Sequence, residues 1–288
     1  MDLNARRLLY LAIISILLSG VVFCQADKDD KKTVKMTVDE IVSKHLASIG
    51  TPEARAAAKS LVLVGTGTLT SRTGFAGKLG GPLQFASQGD MLLLAMVFNS
   101  NDYPYEKVGF NGKDLTTGNY AEGGSILAIF LKSNKTVVKQ GLFGGILRLS
   151  WPLTKLDKDV KLEYSGIVKE GDRSLYKLKF LSPGIGDLSV SLYFDSESFR
   201  HVRSEYYYAS SELIGPNPNR IPVIGSAPSR YTLIETFSKF TKVGDLTLPL
   251  SYTIDYASAG AEKSLIWTLN FSQAFYNEQL EPTVFKVS

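Results

Sequence analysis

The chain has 288 residues, 44% of them hydrophobic and 21% charged, a composition that supports a globular protein with a large core. Its formal net charge is only +4 with both signs mixed along the chain, which excludes the basic surface of a nucleic-acid binder. A single cysteine, Cys24, excludes an internal disulfide framework and thiolate metal clusters.

Residues 1–26 read as a secretory signal peptide. Arg6 and Arg7 form a basic start, residues 8–23 an apolar run, and Cys24-Gln25-Ala26 puts small residues at the −3 and −1 positions of a cleavage site. Two alternatives stay open beside cleavage after Ala26. One is an uncleaved membrane anchor, since a run of about 16 residues approaches the ~17–25 that span a bilayer. The other is a lipoprotein signal acylated at Cys24, although Phe23 stands where a small residue is needed. Cleavage implies a periplasmic protein without a stable transmembrane anchor. Residues 27–36 then form a charged tether, and residues 37–288 one domain with no internal repeat.

Thr37-Val38-Asp39-Glu40 is a capping box, in which the threonine oxygen takes a backbone N–H and Glu40 reaches back to the cap. Val38, Ile41, Val42, Leu46 and Ile49 share one helical face that Gly50 ends. Thr51-Pro52 opens a second short helix through Lys59. Strands are expected at residues 61–70, 82–87 and 91–99. The last of these, Met91-Leu92-Leu93-Leu94-Ala95-Met96-Val97-Phe98, is apolar on both faces and must be covered on both. Asn111-Gly112 marks a hairpin turn. Residues 125–133 read as a helix too apolar for full exposure, and residues 141–147, with three glycines, as a flexible apolar segment before Trp151-Pro152.

From residue 160 to 275 the chain alternates. Leu188, Val190, Leu192 and Phe194 face Asp187, Ser189, Ser191 and Tyr193; Leu246, Leu248, Leu250, Tyr252 and Ile254 are separated by polar residues and Pro249; Leu265, Trp267, Leu269 and Phe271 follow. Successive strand side chains point to opposite faces, so this is an antiparallel meander with one apolar face. Residues 211–229, with Pro216, Pro218, Pro222 and Pro228, interrupt it as an excursion.

The chemistry of catalysis is missing from the pattern. His45 and His201 are the only histidines; the first reads as a boundary residue of its helix, the second as a solvated strand position. Neither a G-x-S-x-G elbow nor a P-loop occurs. Gly65-Thr66-Gly67 lacks the third glycine and helix of a dinucleotide site. Ser174-Leu175-Tyr176-Lys177 spells S-x-x-K inside a strand, whereas that nucleophile starts a helix. The reading is a non-enzyme without metal or cofactor.

The stretch Val38-Asp39-Glu40-Ile41-Val42-Ser43-Lys44-His45-Leu46 followed by Leu61-Val62-Leu63-Val64-Gly65-Thr66 resembles the opening of the periplasmic outer-membrane lipoprotein-sorting carriers, the LolA-like superfamily. Lys139-Gln140-Gly141-Leu142-Phe143-Gly144-Gly145 with Trp151-Pro152-Leu153, Leu192-Tyr193-Phe194-Asp195 with Phe199-Arg200-His201-Val202-Arg203, and Phe285-Lys286-Val287 resemble an uncharacterised bacterial branch of it. The resemblance implies a mainly β fold, an incomplete antiparallel barrel of about eleven strands whose concave face is covered by helices over an apolar cavity. It also implies an arginine holding the lid, with Arg72, Arg148, Arg173 and Arg203 all available. The chain is longer than a typical carrier, chiefly in residues 141–151 and the proline-rich excursion.

The expected function is therefore a monomeric periplasmic carrier that shelters acyl chains of a lipoprotein or lipid. The alternative is an envelope protein that binds a polypeptide through the same fold. Cavity or lid candidates are Leu127, Phe130, Leu131, Leu188, Val190, Leu192, Leu250, Tyr252, Ile254, Trp267 and Leu269.

Overall fold

A computed structural model describes residues 36–71, 77–118, 124–209, 230–259 and 264–288. The expected signal peptide, nearly all of the tether, the proline-rich excursion and Arg72 lie outside the described residues.

The first helix, α1 (Val38–Ile49), starts as its capping box requires: Thr37 Oγ1 accepts the Glu40 N–H, and Glu40 takes the Thr37 N–H at 2.8 Å. Helix α2 (Pro52–Ala57) follows, capped by Thr51. Twelve strands among the described residues form one antiparallel sheet. They are β1 (Ser60–Ser71), β2 (Lys78–Gln88), β3 (Met91–Val97), β4 (Tyr105–Phe110), β5 (Leu115–Thr117), β6 (Lys161–Glu170), β7 (Arg173–Leu181), β8 (Leu188–Asp195), β9 (His201–Ala209), β10 (Arg230–Val243), β11 (Leu246–Ala259) and β12 (Ser264–Tyr276). Their order is β5-β4-β3-β2-β1-β12-β11-β10-β9-β8-β7-β6.

Two meanders are thus joined where β1 pairs with β12, and the sheet stays open because β5 and β6 are opposite edges. Those edge strands are also consecutive in sequence. The chain between them has to travel from one edge to the other, and it does so across the apolar face. It carries α3 (Ile126–Ser133), α4 (Lys135–Lys139) and short 3-10 turns at Gly145–Leu147 and Pro152–Thr154. The topology therefore supplies the cover of the concave face.

The alternation read from the sequence sets the inner face. Leu248, Tyr252 and Ile254 of β11, Leu265, Trp267, Leu269 and Phe271 of β12, and Leu188, Val190, Leu192 and Phe194 of β8 are all buried in one cluster with Phe143, Leu147 and Trp151 of the crossing segment. Leu250 packs against that cluster only half-buried. Opposite it, β10 skips a pairing at Lys239, a non-glycine residue at φ 54°. β3 is covered on both faces. Leu92, Leu94 and Met96 enter the main cluster, whereas Leu93 packs on the outside with Val62, Ala86 and Phe285 of the C-terminal 3-10 turn Pro282–Phe285.

Two expectations need correction. Residues 141–147 are wholly buried and wedged into the concave face. Their glycines make that possible: Gly141, Gly144 and Gly145 adopt positive φ (73°, 89° and 51°), and a Cβ on Gly145 would stand 2.5 Å from the Phe237 ring. His201 is not solvated but fully buried. A β-bulge reverses its face: Phe194 opposes His201, but Tyr193 opposes Arg203, so Val202 is the extra residue.

Candidate functional site

The crossing segment meets the sheet in two different ways. Residues 141–154 are held by buried polar groups. Glu235 of β10 accepts hydrogen bonds from Tyr206 (2.6 Å), from Tyr252 and from the Gly144 N–H (2.7 Å). Burial raises its pKa to about 7 against the lowering effect of those three donors. Arg148 is 1% exposed and donates to the main-chain carbonyls of Val138 (3.2 Å) and Asp90, tying α4 and the β2–β3 turn together. Trp151 donates its Nε1–H to His45 Nε2 at 3.0 Å. His45 Nδ1 lies 3.1 Å from the Phe199 carbonyl.

That pair of contacts assigns the His45 tautomer. An indole N–H can only donate and a carbonyl can only accept, so the proton sits on Nδ1 and Nε2 is the acceptor. The imidazole is neutral, with its pKa lowered by burial to about 4. His201 lies against the Trp151 ring (centroids 4.7 Å) and beside Phe237 (5.0 Å), with Nε2 3.1 Å from Ser204 Oγ. Burial lowers its pKa well below the usual histidine value. The two imidazoles are 6.2 Å apart and enclosed by Trp151, Phe194 and Phe237. They hold α1, the crossing segment and the β8–β9 turn together, and neither lines any of the three pockets described.

The α3 end is different. Ser125 caps the helix by accepting the Ala128 N–H and donates to Glu106 of β4 at 2.7 Å. Glu106 also accepts from Tyr103, and burial raises its pKa to about 7. At the far end Asn134 reaches the Tyr231 hydroxyl at 3.3 Å. Leu127, Ala128, Phe130 and Leu131 are buried, but Ile129 is 50% exposed. Between α3 and the β10–β11 rim lies an open pocket of about 240 Å³, lined by Ile126, Ile129, Phe130, Ser133, Tyr231, Tyr256 and Ser258. Its wall is aromatic: Tyr231 and Tyr256 stack at 6.2 Å, Phe130 and Tyr231 meet edge-to-face at 5.7 Å, and Tyr208, outside the lining, stacks on Tyr231 at 4.8 Å. The lining also carries the hydroxyls of Ser133, Tyr231, Tyr256 and Ser258, but its aromatic and aliphatic faces suit apolar chains and rings.

Of the candidate residues, Phe130 alone lines this pocket. Leu188, Val190, Leu192, Tyr252, Ile254, Trp267 and Leu269 of the sheet and Leu127 and Leu131 of α3 itself lie in the buried cluster between sheet and crossing segment, with Leu250 at its margin. The sequence reading missed Tyr231 and Tyr256, although Tyr256 continues the even-numbered face of β11. It also missed both buried glutamates. Among the candidate arginines, Arg173 and Arg203 pair with Glu170 at the β6 edge (3.0 and 2.8 Å), and Arg148 belongs to the crossing segment itself.

Neither a protein-family model nor a curated protein matches the chain. Solved structures do resemble it. They include a LolA superfamily protein from Nitrosomonas europaea (13% identity, 88% of this chain and 98% of that one, TM-score 0.48). A DUF1329 family protein from Desulfovibrio piger has 12% identity over 86% and 97% of the two chains, with a TM-score of 0.46. An outer membrane lipoprotein-sorting protein domain from Vibrio parahaemolyticus has 11% identity over 85% and 97%, with a TM-score of 0.41. The likeness is one of outline. The chemistry has to be read from this chain's own side chains.

Proposed function

We propose that the chain is an exported binding or carrier protein for an acyl chain, bound beside α3 against the aromatic rim of β10 and β11. The observation that carries this reading is the apolar pocket itself, which is bounded on one side by a single helix with a half-exposed apolar face. At about 240 Å³ the pocket is smaller than the ~300–1,000 Å³ of a typical small-molecule site. An entire acyl chain therefore requires α3 to move away.

The magnitudes allow it. Each methylene withdrawn from water contributes about 0.8 kcal/mol, so a sixteen-carbon chain represents roughly 12 kcal/mol gross. Uncovering Leu127, Phe130 and Leu131 costs about 1.5–3 kcal/mol each, roughly 5–9 kcal/mol together. On these gross figures the transfer of the acyl chain outweighs the loss of the apolar cover, as displacing a cover requires, while the Ser125–Glu106 and Asn134–Tyr231 bonds add to the closing side. The signal peptide, tether and periplasmic location belong to the same proposal. Among the described residues no helix is long and apolar enough to cross a membrane.

A titration with palmitate or a palmitoylated peptide, read by tryptophan fluorescence and hydrogen exchange, tests the reading. Saturable binding with faster exchange across residues 126–133 is expected, and Phe130→Ser should alter affinity while leaving the sheet folded. One observation favours a second reading, a polypeptide partner: the rest of the concave face is already filled by Phe143, Leu147 and Trp151. No binding of any acylated ligand would decide for it.

A further inference from the structure

At the opposite end of β11 lies a second, chemically different pocket. It holds about 50 Å³ and is lined by Ile49, Arg55, Leu61, Ile146, Arg148, Leu149, Trp151, Thr154, Leu246, Leu248 and Tyr276. One water needs only ~10–15 Å³, so there is room for a small polyatomic group. Leu248 here and Ser258 in the α3 pocket are ten residues apart on one strand, about 30 Å, so the two sites are separate.

The lining of this second pocket includes the polar side chains of Arg55, Arg148, Thr154 and Tyr276. Arg148 is fully buried, and its two Nη groups are taken by carbonyls, but its Nε is buried without a hydrogen-bond partner. Among the described residues no carboxylate forms an ion pair with it. The Tyr276 hydroxyl is likewise buried without a partner. Arg55, half-buried, spends Nη1 on the carbonyls of Leu46 and Gly50 at the end of α1 and holds its charge at the pocket. Buried cations are ordinarily paired, and buried donors ordinarily satisfied, because leaving either alone is costly. The residues that carry the unpaired guanidinium N–H, the unpaired hydroxyl and a second guanidinium line the same pocket. Burial lowers the Arg148 pKa to about 10, against the raising effect of Asp90 and Glu235, which lie near enough to act on its charge without forming an ion pair.

We propose that this pocket binds an oxyanion, a carboxylate or phosphate group, through Arg148 Nε, the Tyr276 hydroxyl and the charge of Arg55. Such a group supplies the acceptors that both unpaired donors lack and neutralises the buried charge. A free anion and the acidic head of an amphiphile share this chemistry. The apolar lining of Ile146, Leu246 and Leu248 leaves room for either source.

The test is calorimetric titration of the full chain with sodium phosphate and sodium acetate at constant ionic strength, against a chloride control, with thermal midpoints recorded in parallel. Saturable binding of at least one of them and a rising midpoint are expected. Tyr276→Phe and Arg55→Gln should each weaken binding at least threefold, while Phe130→Ser, in the other pocket, should leave it unchanged. Arg148→Gln should abolish binding; because it also severs two structural bonds, Tyr276→Phe and Arg55→Gln decide the matter if it does not fold. Octyl phosphate binding tenfold tighter than inorganic phosphate assigns the site to an amphiphile head, and equal affinity assigns it to a free anion. Absence of any signal beyond chloride, or parental affinity in both Tyr276→Phe and Arg55→Gln, overturns the site.

Discussion

The two parts of the segment that crosses the concave face are both apolar, yet they are held differently. Residues 141–148 and 151–153 are buried, and the segment is tied by Glu235, Arg148 and the His45–Trp151 bond. Helix α3 buries one face, leaves Ile129 half in water and is tied at its two ends, by Ser125 to Glu106 and by Asn134 to Tyr231. Apolar content alone does not separate a plug from a cover. The number of buried polar ties does, because more of them hold residues 141–154 than hold α3 and each contributes about 0.5–1.5 kcal/mol net.

The comparison can be broken by substitution. Trp151→Ala removes a buried indole and leaves His45 Nε2 without its donor; a loss of about 3–5 kcal/mol in a urea titration is expected. An unchanged midpoint would show that residues 141–154 do not anchor the fold. Gly145→Ala asks a residue with a Cβ to adopt φ 51° against the Phe237 ring, which should cost about 2 kcal/mol or more in the same assay.

Smaller effects come from pH. His45 and His201 have depressed pKa values, so their contribution is complete above 6.5 and is lost on acidification, for His45 as pH falls through about 4. Glu106 and Glu235 are raised to about 7, so their contribution is complete below 4.5 and is lost as pH rises through 7. Between pH 4.5 and 6.5 the two histidines and two glutamates oppose one another, and stability should be nearly level. Glu235→Gln should tilt the profile by roughly 1 kcal/mol per pH unit toward loss on acidification, and His45→Gln by a similar slope the other way. Level profiles in both variants would mean that these groups titrate normally. Last, Ile129→Ser on the exposed face of α3 should change stability by less than about 0.5 kcal/mol while weakening acyl-chain binding. A large destabilisation would make α3 part of the plug.

The sheet was largely legible. Thr37 and Glu40 announce α1, the alternation of residues 246–254 and 265–271 identifies the inner face, and the double-sided apolarity of residues 91–98 requires the outer cover that Phe285 provides. His201 was not legible, because the strand keeps its period-two pattern on either side of a bulge at Val202 that only the pairing with β8 reveals. The glycines at 141, 144 and 145 suggest mobility in a string of letters; in three dimensions all three have positive φ, and a Cβ would meet the Ser150 carbonyl at Gly141 and the Phe237 ring at Gly145.

What the sequence determined by itself follows from local physics: capping, alternation and turn chemistry need only neighbours in the chain. The tertiary structure alone decided which residues meet across the trough. Ser125 meets Glu106, the Gly144 N–H meets Glu235, Arg148 meets the Asp90 carbonyl and Trp151 meets His45 because β5 and β6 lie at opposite edges and the chain between them must cross the inner face. No local periodicity encodes such pairings, since they depend on strand order and register.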